Sequence, residues 1–350
     1  MLNVLMPSLS RFRLTGGPNT ILGLAQRLAA RGVPVRYVSM SADAPEDERW
    51  FWDHLKALTE ISGENASIGD PDPDGVYLAT TWQTAYYAQN TLQGRFIYFI
   101  QDYEPMFCRT PAEADMARET YGMDFLPIVN EGVLADHMAG VLDDPAVFEP
   151  AVDSEMFYPE TKRRQLVFYA RPNRTRNIYG VALEALRSVA ASGLLDGWDV
   201  VSVGAKVGPV ELAPGVVMRN VFWRNLSTYA AMMRGAAITL CPQTSPHTGY
   251  SVLETSACGG VAVTTVYETK TRARILEYAP RSIPVEPSVD GIAGGLERAI
   301  QGECSRAPCR GLAAESWDEA FAPILPRVEE MYHELSRTQT HAVGGASFSS

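Results

Sequence analysis

Arg171, Arg174 and Arg176 crowd into one short segment, FYARPNRTRNIYG (168–180). An apolar, strand-like run precedes them and a helical pattern follows. Helix starts favour acidic side chains over basic ones, so a group of arginines there calls for an anion to bind. Guanidinium groups match phosphate oxygens bidentately. A second segment, QTSPHTGYSVLETSACGG (243–260), feeds a polar, glycine-containing loop into a short helix that carries Glu254. Backbone amides of Thr248, Gly249, Tyr250 and Ser251 at that helix start can cap an anion. Glu254 lies about one turn further on. It can accept hydrogen bonds from a ligand's hydroxyls or simply favour the helix dipole.

Two weaker signals accompany these. In LTGGPNT (14–20), Gly16 and Gly17 allow a tight turn and close backbone approach to a ligand. The pattern is neither a GxGxxG fingerprint nor a phosphate-binding GK[ST] loop, and a plain turn fits it as well. In FIQDYEP (99–105), Asp102 and Glu104 follow an apolar strand. They suit acid/base work or hydroxyl binding, or they belong to a helix-capping loop.

The elements that must position these residues alternate. Asn3–Met6 reads as a strand, Ile21, Leu24, Ala25 and Leu28 as one helix face, and Val33–Val38 as the next strand. Further strands are expected at 76–79, 96–100 and 126–129, with helices near 50–58, 83–91, 112–120 and 132–139. A second series begins near Leu166, with strands at 166–170, 199–203, 216–219, 237–240 and 261–264 and helices near 177–191, 226–234 and 251–258. Alternation of this kind predicts parallel sheets covered by helices, in two doubly wound domains. At about 150 residues per domain, 350 residues also suggest two. The proline-bearing stretch 143–164 is the natural hinge. Trp317–Leu335 reads as a final helix that Pro323 and Pro326 must kink or interrupt, and the residues from Thr338 read as a disordered tail. The acidic DPDPDG (70–75) reads as a turn.

Composition narrows the function classes. Hydrophobic residues make up 46% and charged residues 20%, which excludes disorder as the main state. The net charge of −11 argues against binding nucleic acid through bulk charge, and any anionic ligand must sit on a local positive cluster. No secretory signal or membrane-length apolar run is read in the chain. The five cysteines form no CxxC pair and suit a reduced, cytoplasmic protein, although Cys304 and Cys309 flank one polar loop and could pair. The scattered histidines give no metal motif, so no metal is expected.

With these motifs in order, the chain resembles the retaining glycosyltransferases of family 4. GGPNTILGLAQRLAARGVPVRYVS (16–39) is similar to that family's first loop, helix and second strand. EPAVDSEMFYP (149–159) is similar to its domain-closing segment, with Asp153, Phe157 and Pro159 matching. In ARPNRTRN (170–177) Arg171 falls on the family's arginine and Arg176 on its lysine. FWRNLSTYAAMMRGAAITLCP (222–242) and HTGYSVLETSACGGVAVTT (247–265) complete the series. Three positions depart from the pattern. Ala170 replaces a glycine, Arg176 replaces the lysine, and Pro246 stands where the family carries the first of two glutamates, Glu254 being the second. The look is closest to bacterial rhamnosyltransferases of surface polysaccharide assembly, which use a dTDP-linked rhamnose donor.

The resemblance implies an α/β fold of the GT-B type, two doubly wound Rossmann-like domains facing a central cleft. The expected division is an acceptor-side domain at 1–157, a nucleotide-sugar domain at 158–315, a helix at 316–337 returning towards the first domain, and a tail at 338–350. It also implies a metal-independent transfer of a sugar from a dTDP-, UDP- or GDP-linked donor, with no cofactor. The acceptor would be a glycan or a lipid-linked saccharide, and the location cytoplasmic or peripheral at the inner face of the membrane. Arg171 and Arg176 would stabilise the leaving diphosphate, helped by Gly16, Gly17 and the 248–251 amides. His247 would line the donor, Glu254 would hold the ribose, and Asp102, Tyr103 and Glu104 would place the acceptor. A sugar-nucleotide epimerase of the same fold and a non-catalytic sugar-nucleotide-binding protein are the alternatives.

Overall fold

The computed structural model describes residues 1–10, 16–41, 48–59, 61, 65–91, 94–221 and 225–345. The chain forms two compact units. One is Met1–Phe148 together with the chain from Phe321 onward, and the other is Glu149–Ala320.

The first unit holds β1 (Leu2–Met6), α1 (Gly16–Ala30), β2 (Val35–Ser39), α2 (Glu48–Thr59), β3 (Ala66–Ile68), β4 (Val76–Ala79), α3 (Trp82–Thr91), β5 (Phe96–Ile100), α4 (Pro111–Glu119), β6 (Phe125–Asn130), α5 (Gly132–His137) and β7 (Ala146–Phe148). Among the described residues the strands order β3-β2-β1-β4-β5-β6-β7, all pairs parallel. Helices cover both faces of such a sheet, so its strands read as continuous apolar runs; β1 and β5 are buried along their whole length. Strand order reverses between β1 and β4. The DPDPDG segment is the expected turn, clasped to β1 by Asn3, whose Nδ2 donates to the Asp72 carbonyl and whose Oδ1 accepts from the Asp72 N–H, both at 2.9 Å. A Cβ on Gly75 would lie 2.5 Å from Asn3 Nδ2, so only glycine fits there.

The second unit holds β8 (Arg163–Tyr169), α6 (Tyr179–Ala191), β9 (Asp199–Val203), β10 (Val210–Ala213), β11 (Val216–Asn220), α7 (Leu226–Gly235), β12 (Ala236–Cys241), α8 (Tyr250–Ala257), β13 (Val261–Thr265), α9 (Arg272–Tyr278), β14 (Ser282–Val285), α10 (Val289–Ile300) and α11 (Trp317–Phe321). Its order is β10-β11-β9-β8-β12-β13-β14, parallel except for the β10/β11 hairpin. Here the order reverses between β8 and β12. The core packs Leu166, Phe168, Ile238, Leu240 and Val263 of the strands against Leu186 and Val189 of α6 and Ile292 and Leu296 of α10.

The division falls at Phe148, not after residue 157 as the sequence suggests. Residues 149–157 are tied into the second unit. Tyr278 donates to the Glu149 carboxylate (2.6 Å), the Arg310 guanidinium donates to the carbonyls of Val152 (2.9 Å) and Phe157 (2.7 Å), and Arg234 donates to that of Met156 (2.8 Å). Ala151 and Ala314 form a bridge packed with Ala320 and Trp317. At the other end the expected final helix breaks in two around Pro323 rather than merely kinking. After α11 a new helix, α12, runs Leu325–Gly345 and packs in the first unit, where Glu329 pairs with Arg31 and Val328 and Met331 are fully buried. Its helical backbone continues past Thr338, where the sequence reads as a tail. All five cysteines are free, Cys304 and Cys309 included.

Candidate functional site

In doubly wound sheets, ligands bind beyond the carboxyl ends of the strands where the order reverses. In the second unit that place lies above β8 and β12, and it is where both arginines sit. The Ala170 N–H extends the β8 pairing by donating to Val203 O at 2.7 Å, and Arg171 follows at once. Its guanidinium lies over the Tyr169 ring, 5.2 Å from the centroid, and its Nε is buried without a hydrogen-bond partner among the described residues. Room for it comes from Gly204, after β9. This residue has φ +99°, and a Cβ there would lie 3.3 Å from Arg171 Nε.

Arg176 sits in a one-turn 3-10 helix, Thr175–Asn177, and the next residue, Ile178, takes φ 35°, ψ 44°. A β-branched side chain in the left-handed region is strained by about 1–3 kcal/mol. That strain delivers Arg176 and Asn177 to the loop after β12. Arg176 donates to Ser245 Oγ (3.2 Å), its carbonyl accepts from the Thr244 N–H (2.7 Å) and Oγ1 (3.0 Å), and Asn177 Nδ2 donates to Pro242 O (3.4 Å). Arg174 is exposed.

The 242–251 loop is built from inside. Lys270 and Gln243, neither singled out by its sequence context, hold it. Lys270 is fully buried and donates to the Gln243 carbonyl (2.7 Å), which also accepts from Thr265 Oγ1 (2.9 Å). The Gln243 side-chain amide donates to Ser245 Oγ and to His247 O. Gly249, with φ +92°, donates its N–H to His247 Nδ1 at 2.8 Å. Of the four amides expected to face an anion, that of Gly249 is therefore engaged within the loop. His247 and Thr248 are buried, and Tyr250 lies between the His247 and Trp317 rings at 5.5 and 5.9 Å.

Glu254 does more than favour the helix dipole. Its carboxylate accepts a 2.7 Å hydrogen bond from the Tyr229 hydroxyl on α7. Burial lifts its pKa to about 7, opposed by that hydrogen bond.

The residues assigned to the first unit divide differently. Gly16 and Gly17 are the first residues of α1, and Gly17 does not have positive φ; they offer helix-start amides rather than a glycine turn. Leu14 and Thr15 of that loop, and Phe222–Arg224 of the 222–242 segment, lie outside the described residues. Asp102 is buried and accepts from the Tyr103 N–H (2.8 Å). Glu104 is also buried, and its carboxylate accepts from the Trp82 N–H at the start of α3 (2.5 Å). Glu104 therefore takes the helix-capping role. Burial raises its pKa to about 8, against hydrogen bonds from Trp82 and Tyr98. Tyr103 alone of the three is half-buried, stacked on Tyr121 (5.8 Å) with His137 at its edge (4.7 Å). Among the described residues no group of three or more His, Cys, Asp or Glu side chains is placed to hold a metal ion.

Known structures share this architecture across both units. HepE from Anabaena, solved with UDP and glucose, superposes with TM-score 0.63 at 11% identity over 97% of this chain and 99% of its own. Sucrose-phosphate synthase from Thermosynechococcus elongatus gives 0.59 at 12% over 99% and 98%. WaaG, a glycosyltransferase involved in lipopolysaccharide biosynthesis, gives 0.57 at 15% over 97% and 98%. The fold is GT-B. Residues 164–297, the core of the second GT-B unit, match the family described as "WsaF, C-terminal domain". A curated relative, the O-antigen biosynthesis protein RfbC of Myxococcus xanthus, is 31% identical over 262 residues. That match takes in 71% of this chain but only 20% of RfbC, so the chain spans about a fifth of that relative's length. Among the described residues no helix is long and apolar enough to cross a membrane.

Proposed function

We propose that this protein is a glycosyltransferase of surface-polysaccharide assembly that moves a sugar from a nucleoside-diphosphate donor to a growing glycan or lipid-linked saccharide. The observation that carries the reading is that Arg171 follows β8 directly while Arg176 reaches the loop after β12, the two strands between which the order of the second unit reverses. The match to part of RfbC, an O-antigen biosynthesis protein, supports the same setting.

In the reaction, the anomeric C–O bond to the diphosphate breaks and the acceptor hydroxyl oxygen bonds to that carbon on the same face. The hydroxyl proton passes to the leaving phosphate. Arg171 and Arg176 neutralise the charge that develops on the diphosphate, Tyr250 and Ser251 add helix-start amides, and Glu254 accepts from the ribose hydroxyls. No metal is required in this scheme, so EDTA leaves turnover intact. A dTDP-linked rhamnose is the donor we favour, because Pro246 removes the carboxylate that the family usually aims at the sugar hydroxyls. Tyr103 is the one residue of the Asp102–Glu104 group with surface left for the acceptor. The protein meets a lipid-linked acceptor by peripheral contact at the inner membrane face.

Removing one preorganised donor to developing charge costs on the order of 10²–10³ in rate. Arg171→Ala is expected to lose that much turnover with its melting temperature kept, and near-normal turnover would overturn the reading. An epimerase merits the same assay, since a putative UDP-N-acetylglucosamine 2-epimerase from Listeria monocytogenes shares the fold at TM-score 0.55. Product formed from donor alone, without acceptor, would favour it.

A further inference from the structure

One fully buried charged side chain behind the Arg176 loop is not used by the proposed reaction. Lys270 has no solvent exposure, and its ammonium is 2.7 Å from the carbonyl of Gln243, the second residue after β12. Burying an ammonium is unfavourable unless its partners repay it. One of its partners, the Gln243 carbonyl, leads towards the arginines. The same carbonyl accepts from Thr265 Oγ1, and Thr265 Oγ1 in turn accepts from the Gln243 N–H (2.9 Å each). The Gln243 backbone is thereby held at both its N–H and its C=O. Its side-chain amide, fixed by that backbone, reaches Ser245 Oγ and His247 O. Ser245 Oγ accepts from Arg176 (3.2 Å), and His247 Nδ1 accepts from Gly249 N–H at the start of α8 (2.8 Å).

We infer that Lys270 and Gln243 form a buried positioning relay for the diphosphate site. The ammonium pins Gln243, and Gln243 sets the geometry of both Arg176 and the first turn of α8. Rigid second-layer support of this kind keeps phosphate-binding groups in place without reorganisation. Neither residue touches substrate in this account; each acts through Arg176 and the loop. The inference rests on the donor reading above, namely that Arg176 faces a diphosphate.

The experiment compares wild type with Lys270→Met and Gln243→Leu. UDP, dTDP and GDP, and their monophosphates UMP, dTMP and GMP, are titrated by calorimetry, and each variant's melting temperature is recorded. Lys270→Met should weaken the bound diphosphate at least tenfold and change its monophosphate less than twofold, because the relay serves the terminal phosphate. Gln243→Leu should do the same, and the double variant should lose no more than the worse single variant, since both cut one chain. Equal loss of mono- and diphosphate with a fallen melting temperature would mean that Lys270 only supports the fold, and would overturn the relay. Unchanged diphosphate affinity in both variants would overturn it too. A wild type that binds none of the six nucleotides would instead sink the donor reading itself. Should Lys270→Met not fold, Gln243→Leu alone decides the matter by the same mono- against diphosphate ratio.

Discussion

The Tyr229 hydroxyl donates to the Glu254 carboxylate at 2.7 Å, joining α7 to α8. One carboxylate oxygen is thus spoken for before any ligand arrives. Burial lifts the Glu254 pKa to about 7, and the Tyr229 bond works against that rise.

A pH dependence follows. If ribose hydroxyls donate to Glu254, the ionised carboxylate is the binding form. About a tenth of the protein carries it one unit below the pKa and about nine-tenths one unit above. Nucleotide affinity, measured by calorimetry, should therefore rise about tenfold from pH 6 to pH 8. Glu254→Gln should flatten the profile and weaken binding. Tyr229→Phe removes a bond that favours the charged form, so its profile should shift to higher pH. A wild-type profile with no slope over this range would remove Glu254 from the ribose.

Glu104 gives a stability signature in the first unit. Its folded pKa of about 8 lies above the ordinary 4.5, chiefly through burial. A carboxyl raised in the fold contributes stability that is fully present below its unfolded pKa and is lost as pH rises through its folded one. The first unit should therefore lose stability between about pH 4.5 and 8 on account of Glu104. Glu104→Gln keeps an acceptor for the Trp82 N–H and carries no charge. Its melting temperature should gain on wild type across that window and level off above it. Parallel melting curves at pH 5, 7 and 9 would contradict the buried carboxyl.

How far the sequence discloses this protein depends on whether a residue's role is local. Parallel strands buried on both faces announce themselves as runs such as Phe96–Ile100, and Arg171 and Arg176 can be placed because the strand before them is unmistakable. Glu104 misleads because its neighbour Asp102 suggests a pair of working carboxylates, whereas the deciding contact comes from Trp82, far back along the chain. Lys270 stands in a polar stretch, YETKT, that carries no mark of a core position; the register of β12 beside β13 puts its ammonium against Gln243. Gly16 and Gly17 suggest a turn because two glycines usually do, yet both begin α1. Helix α10 goes unread although Ser288 caps it and Ile292 and Leu296 share its buried face, a signal that was present.

The strap at 149–157 makes a prediction about local order. Arg310 donates to the carbonyls of Val152 and Phe157. Hydrogen bonds to a charged group are worth about 1.5–3 kcal/mol each. Arg310→Met should speed amide hydrogen exchange at 152–158 by at least about tenfold, the effect of losing about 1.4 kcal/mol. Exchange in β5, in the other unit, should stay as it is. Uniform acceleration throughout the second unit would show that Arg310 supports its core instead.

Gly204 and Gly32 form a matched pair of controls. Both have strongly positive φ, +99° and +94°. Gly32 closes α1, its N–H donating to Ala29 O and the next N–H to Leu28 O, and a Cβ there meets nothing within 4 Å. Gly32→Ala should therefore cost only backbone strain, about 1–2 kcal/mol. A Cβ on Gly204 would meet the same strain and would also lie 3.1 Å from Ala170 O and 3.3 Å from Arg171 Nε. Since those two atoms fix where the guanidinium lies over Tyr169, Gly204→Ala should displace Arg171 from its place. Gly204→Ala should lose at least as much stability as Gly32→Ala in thermal melts, and only Gly204→Ala should lose nucleoside-diphosphate affinity. Equal affinity in both would show that Arg171 tolerates displacement, and that its role does not depend on its seat beside Gly204.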